Sequence, residues 1–225
     1  MKNTLIQIFI IIFLLTSCDL KTAPEYAMEA EELEQEGKYK EAILLLDKAI
    51  SKDDKFIGAY INRGADKSAL GDYEKAIKDY EKVLSINPNN TLALFNIANN
   101  YKRIENYKKS LEYYNKAFTS KGGDKFYMDL ADNDFVDLGH DFDVPGKEIF
   151  YERGITLFHL GSLNKSYSDF QSSIKQKYNV AQSHYWIGFI YLKTNQRELA
   201  CENFNKSRDL GDKDAEAEII KFCDK

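Results

Sequence analysis

Five stretches of this 225-residue chain repeat one another. "GKYKEAILLLDKAI" from Gly37, "GDYEKAIKDYEKVL" from Gly71, "ENYKKSLEYYNKAF" from Glu105, "GSLNKSYSDFQSSI" from Gly161 and "NQRELACENFNKSR" from Asn195 share one order of turn, polar and apolar residues. Gly37, Gly71 and Glu105 are spaced 34 residues apart, and so are Gly161 and Asn195. A fixed period constrains the fold more tightly than any composition does. A unit this short cannot cover its own apolar stripe, so neighbouring units must stack and bury a continuous core between them.

Period and pattern together resemble the tetratricopeptide repeat. In that family's register the units run 23–56, 57–90, 91–124, 147–180 and 181–214. The second matches best: Tyr60 takes the first large position, Gly64 the small one, Gly71-Asp72-Tyr73 the turn, and Ala76, Tyr80 and Pro88 follow. The same places hold Tyr26, Ala30 and Ala42, then Leu94, Ala98, Ser110 and Tyr114, then Phe150, Gly154, Ser166 and Phe170, and finally His184, Gly188, Ala200 and Phe204. Lys67 stands where an aromatic is usual, and Gly122, Tyr178 and Asp212 replace closing prolines, which reads as looser connections. The resemblance implies an all-α fold, a right-handed superhelix of five helix-turn-helix repeats. Residues 215–225, within "DAEAEIIKFCDK", read as an amphipathic capping helix with Ile219, Ile220 and Phe222 available to cover the last unit.

The start of the chain has a different character. "MKNTLIQIFIIIFLLTSC" has a basic start at Lys2 and an apolar run from Leu5 to Leu15. That run falls short of the roughly 20 residues a membrane-spanning helix needs and suits a signal-peptide core. Its end, Leu15-Thr16-Ser17-Cys18, resembles a bacterial lipobox. The resemblance implies removal of residues 1–17, lipid on Cys18 (diacylglycerol, with palmitate-type acylation), and a short linker over 18–22. Two or three acyl chains hold a protein to a membrane stably where one does not. Asp19 resembles an inner-membrane retention signal of enteric bacteria, a rule that other bacteria read differently, so either membrane stays open.

Between the third and fourth units lies an acidic insert, residues 125–146, "KFYMDLADNDFVDLGHDFDVPG". Its six aspartates do not follow the calcium-loop pattern of an EF-hand, so no metal ligands are assigned. It reads as a partly helical excursion with Phe126, Tyr127, Phe135 and Phe142 turned back onto the array. It is also a second candidate for partner contact, since loops on rigid scaffolds often carry binding.

Little in the chain suggests chemistry. Its formal charge of −5 and lack of a basic stripe argue against nucleic acid as a partner. No metalloprotease, nucleophile-elbow, P-loop or dinucleotide motif occurs, and His140, His159 and His184 suit structural positions. No enzyme, cofactor or small-molecule substrate is expected. Cys201 and Cys223 lie on the last unit and its cap. A disulfide pinning the cap and two buried free thiols both stand as readings.

The family's concave binding positions, carried onto this chain, give Ala27, Glu31, Ile61 and Ala65, then Phe95, Asn99, Lys102 and Arg103, then Tyr151, Ile155, Phe158, Tyr185, Phe189 and Lys193. Chaperone-binding relatives clamp a terminal carboxylate with a lysine and asparagine pair. Ala27 and Glu31 stand there instead, so an extended or helical segment with apolar side chains is the better expectation. The whole reads as a non-catalytic adaptor or scaffold at the cell envelope, anchored through Cys18 and binding a protein or peptide. Two alternatives are an assembly lipoprotein for outer-membrane proteins or pili, and an enzymatic or metal-binding accessory protein using the insert.

Overall fold

The computed structural model describes residues 20–120, 128–130, 134–136 and 144–223. Among the described residues are eleven helices: α1 (Ala23–Gln35), α2 (Tyr39–Lys52), α3 (Ile57–Ala69), α4 (Tyr73–Ile86), α5 (Thr91–Arg103), α6 (Tyr107–Thr119), α7 (Gly146–His159), α8 (Leu163–Lys175), α9 (Val180–Lys193), α10 (Arg197–Asp209) and α11 (Asp214–Phe222). The first ten pair consecutively, and each pair stacks on the next. The first helices of successive pairs also touch one another, so α1, α3, α5, α7 and α9 form the inner layer and their partners the outer one.

All five turns inside the pairs are built alike. Gly37, Gly71, Glu105, Gly161 and Asn195 have left-handed backbones, with φ of 73°, 83°, 58°, 73° and 57°. Gly37 N–H donates to Glu34 O and Lys38 N–H to Leu33 O, and the same two bonds recur through Asn195 to Leu192 and Gln196 to Tyr191. This closure satisfies the last carbonyls of a helix, and it requires the positive φ. Glu105 adopts it without glycine's freedom. A left-handed residue with a Cβ costs roughly 1–2 kcal/mol, of which glycine's larger unfolded-state entropy offsets part. Glu105→Gly is therefore expected to stabilise by about 1 kcal/mol, seen as a higher urea midpoint at unchanged slope.

The core follows from one pattern in the second helices. Ala42/Leu46/Ala49, Ala76/Tyr80/Val83, Ser110/Tyr114/Ala117, Ser166/Phe170/Ser173 and Ala200/Phe204/Ser207 place small, large and small side chains at i, i+4 and i+7, all buried. That spacing lines one helical face. The large residue presses on the small position of the first helix. A Cβ added at Gly64, Gly154 or Gly188 would sit 2.8, 3.0 or 2.5 Å from the ring of Tyr80, Phe170 or Phe204.

The insert does not break the stack. Val144 is buried with Leu94, Ala98, Tyr114 and Ala117 of the third unit, so the chain re-enters against that unit's core. Across the same junction, Tyr107 stacks on His159 with ring centroids 4.5 Å apart, and Phe118 meets Phe150 at 5.1 Å. Ser110 and Thr156 share a hydrogen bond of 3.1 Å, and Lys102 pairs with Glu152. Within the insert, β1 (Met128–Leu130) pairs antiparallel with β2 (Asp134–Val136), with Asp129 opposite Phe135. The described part is thus a short strand pair, where a partly helical excursion was expected. Phe126, Tyr127, Phe142 and His140 lie outside the described residues, as do the leader and Cys18.

Three departures from the repeat pattern have specific partners. Lys67 Nζ lies 2.7 Å from Asp79 Oδ2, an ion pair an aromatic could not make. Tyr178 packs its ring against Tyr151, and its carbonyl accepts from Ser173 Oγ at 2.7 Å. Asp212 accepts from Ser207 Oγ at 2.9 Å and from the Asp214 N–H at 3.1 Å, capping α11. The last two connections are tied rather than loosened, because the backbone N–H groups of Tyr178 and Asp212, which proline lacks, donate to Ser173 O at 3.0 Å and Ser207 O at 3.1 Å. On α11, Ile219 and Ala215 are buried but Ile220 is 60% exposed, so Ile220 does not cover the last unit. The helical spacing turns it away from Ile219 by about 100°.

Candidate partner-binding surface

The inner layer holds the side chains expected to line a groove, but unequally. Tyr151 and Phe158 are each only 8% exposed and belong to the core around Phe170, Ile187 and Ile190. Tyr151 meets Phe170 and Tyr178 edge-on, and burial pushes its hydroxyl up to about 12. Phe158 is covered by Trp186 at 5.2 Å and by Phe189 at 6.4 Å. Phe95, Ile155, Tyr185 and Phe189 remain half-buried, with Tyr185 and Phe189 braced against Phe204.

Trp186, the single tryptophan of the chain, was missing from the expected set. It contacts Phe158, His159, Phe170, Tyr185 and Phe189 and stays partly exposed at the centre of this aromatic wall. Its place matches that of Glu152, which also faces the neighbouring first helix, and that equivalence between units was the available signal.

The polar positions are also unequal. Asn99 Oδ1 accepts from the Tyr114 hydroxyl, which burial keeps protonated by raising its pKa well above the usual value. Lys102 is held by Glu152. Arg103 and Lys193 are exposed, Lys193 lying 5.0 Å from the Phe158 ring centroid. Upstream, the wall is smaller and acidic: Ala27, Glu31, Ile61 and Ala65, of which Ile61 is buried. Among the described residues this surface therefore offers half-buried aromatic rings flanked by two exposed cations, Arg103 and Lys193.

Among the described residues, no group of three or more His, Cys, Asp or Glu side chains has metal-binding geometry. No described helix is long and apolar enough to cross a membrane. His184 Nδ1 lies 2.9 Å from Asn203 Oδ1, a structural hydrogen bond between α9 and α10. Cys201 on α10 and Cys223 just past α11 are joined by a disulfide with Cα atoms 5.7 Å apart. It fastens the end of the cap to the last unit, beside Arg197 Nε, which donates to Phe222 O.

The repeated turns, the small-against-large contacts and the two-layer stack together describe one architecture. Sequence comparison with family models matches "Tetratricopeptide repeat" over residues 58–90, and again over 92–123 and 181–207. The chain carries tetratricopeptide repeats. Comparison with curated proteins gives no match. Among solved structures, this tetratricopeptide-repeat chain is similar to MamA 41-end from Desulfovibrio magneticus RS-1, at 19% identity and TM-score 0.69, covering 84% of this chain and 94% of that one. It is also similar to YrrB, described as a TPR protein with an unusual peptide-binding site, at 22% identity and TM-score 0.66, covering 87% and 90%. A further MamA structure aligns at 14% identity and TM-score 0.66, covering 89% and 95%. At these identities the likeness is one of fold. Such a fold supports a protein–protein interaction adaptor with a protein or peptide partner.

Proposed function

We propose that this protein is a non-catalytic adaptor held at a bacterial cell envelope by lipid on Cys18, and that its inner surface receives an extended or helical segment of a partner protein. The observation that carries the reading is the wall of half-buried rings, Phe95, Tyr185, Trp186 and Phe189, beside the exposed Arg103 and Lys193. Aromatic anchors in partly desolvated sites supply most of the energy at protein interfaces, and rim charges select and steer the partner. The cations favour a segment with acidic residues next to its apolar ones. The peptide-binding site of YrrB lends the groove reading support by analogy. The lipid tether rests on the run Leu15-Thr16-Ser17-Cys18.

Two arms test the two halves of this proposal. Metabolic labelling with radioactive palmitate should mark the wild type and leave Cys18→Ser unlabelled; label on both, or on neither, removes the tether. Crosslinked capture from intact cells should recover a partner with the wild type and lose it with Arg103→Glu/Lys193→Glu, which changes exposed side chains and leaves the aromatic core whole. Equal recovery by that variant would move the binding surface elsewhere. Alanine at Tyr151 or Phe158 would be a poor probe, since both are core residues and their loss would unfold the site along with any contact.

A further inference from the structure

Each junction between neighbouring first helices brings residues near the end of one helix against residues near the end of the next. At the second junction Ser68 Oγ donates to Asn100 Oδ1 at 2.9 Å. At the third, Lys102 pairs with Glu152, while Thr156, one unit's length from Ile190, bonds Ser110. At the fourth, Phe158 and Ile190 meet in one apolar cluster. Three junctions thus have complementary contacts. In the first, the positions of Ser68 and Asn100 are taken, 34 residues earlier, by Glu34 and Asp66.

Two carboxyl groups therefore stand where a donor should meet an acceptor. Asp66 is 2% exposed and its Oδ2 has no hydrogen-bond partner, and the same holds for the buried Oε1 of Glu34. Two carboxylates cannot bond each other, but a carboxylic acid and a carboxylate can. We propose that Glu34 and Asp66 form a proton-bridged latch between the first two repeat units, closed while they share one proton and pushed apart when both are ionised.

The surroundings favour the shared proton. From α1, Glu31 stands behind Glu34 and adds negative charge. On α3 itself, Arg63 and Lys67 are turned the other way: Arg63 holds Asp79 of α4 and Asp47 of α2, and Lys67 holds Asp79. From α4, Asp66 is faced by the buried Tyr80 hydroxyl, whose pKa burial raises, so it stays neutral. From α5, Asn100 is engaged with Ser68 and with the Asn96 carbonyl. Burial first, then the Glu34 charge, push Asp66 from an ordinary 3.8 up to about 7. Glu34 is raised too, by burial and then by Glu31.

The sign follows by linkage. Between the two values for Asp66 the folded chain binds more protons than the unfolded one, so the latch's contribution is fullest at low pH and falls as pH rises toward about 7. A latch of this kind would stiffen the N-terminal end of the array on mild acidification and loosen it above neutrality.

The test uses the whole chain. Carboxyl carbon chemical shifts, followed from pH 3 to 9, should give Asp66 a midpoint near 7, against 3.8 for an ordinary aspartate. Hydrogen exchange corrected for intrinsic rates should show α1 and α2 opening about tenfold more often, relative to α7 and α8, at pH 8.5 than at pH 5.5. Glu34→Gln and Asp66→Asn each install an amide whose N–H can donate to the remaining carboxylate, restoring the donor-to-acceptor match that the Ser68 hydroxyl and Asn100 Oδ1 make one unit later. Each should abolish that pH difference, and either variant alone suffices if the other misfolds. An Asp66 midpoint below 5, whether from water entering or from a cation held between the carboxylates, overturns the proposal. So does a pH difference that survives in the variants.

Discussion

Gly188→Ala should destabilise this protein by about 3 kcal/mol, although alanine in a helix interior ordinarily gains up to about 1 kcal/mol over glycine. The added Cβ would lie 2.5 Å from Phe204 Cε1 and 2.7 Å from Cδ1, inside any distance real methyl groups tolerate. The ring has nowhere to go. It is fully buried, with Tyr185 at 5.9 Å and Phe189 at 5.2 Å against it, and the disulfide at Cys201 restrains the same helix. Relief must come from α9 and α10 moving apart, which unseats Ala200, Phe204 and the cap residue Ile219 together. The same change at Gly154, where the nearest ring atom is at 3.0 Å, should cost about 1 kcal/mol, and at Gly58, where it is at 3.4 Å, should be neutral or mildly stabilising. Urea midpoints at constant slope would rank the three. A neutral Gly188→Ala would mean that the helix pair is wider than its glycine implies.

This ranking also shows which part of the fold the sequence carries openly. Gly64, Gly154 and Gly188 each fall 16 residues before Tyr80, Phe170 and Phe204. That interval, a property of the helix-turn-helix alone, brings small against large. Contacts of this local kind were legible. What was not legible depends on how units meet. Lys67 looked like a lost aromatic because its partner, Asp79, is selected by the side on which Arg63 already lies. Tyr151 and Phe158 looked like groove residues because their positions face inward in the family. Here Tyr178 and Trp186 lie over them, and inward-facing becomes buried. Glu34 and Asp66 passed unnoticed as a pair because 32 residues separate them. Laying Ser68 and Asn100 over them would have exposed the mismatch.

The insert poses a similar question about what carries through the array, and the answer turns on one side chain. Arg153 on α7 donates to Asp169 through Nε at 2.7 Å and Nη2 at 2.9 Å, and reaches Asn115 of α6 through Nη1 at 3.1 Å. Its guanidinium also lies 4.8 Å from the Phe118 ring centroid. Arg63 makes the equivalent set, two bonds to Asp79 and one to Asp47 of the preceding unit. The motif is a bracket between units, and the planar fork of arginine suits it as lysine would not.

Arg153→Ala is accordingly expected to destabilise by about 3 kcal/mol, because Asp169, only 5% exposed, is left as a buried charge without its partner. Removing Asp169 as well should return a substantial part of that loss. The cycle of single and double variants then separates the pair's own coupling from the bond to Asn115 and the contact with Phe118. If the third and fourth units were joined only by the backbone of the insert, Arg153→Ala would affect α7 and α8 alone. With the bracket in place, hydrogen exchange should quicken in α6 too, and Asn115→Ala should reproduce the α6 effect while leaving Asp169 paired. Exchange confined to α7 and α8 would refute the bracket and leave the join across the insert to the Tyr107–His159, Phe118–Phe150 and Ser110–Thr156 contacts.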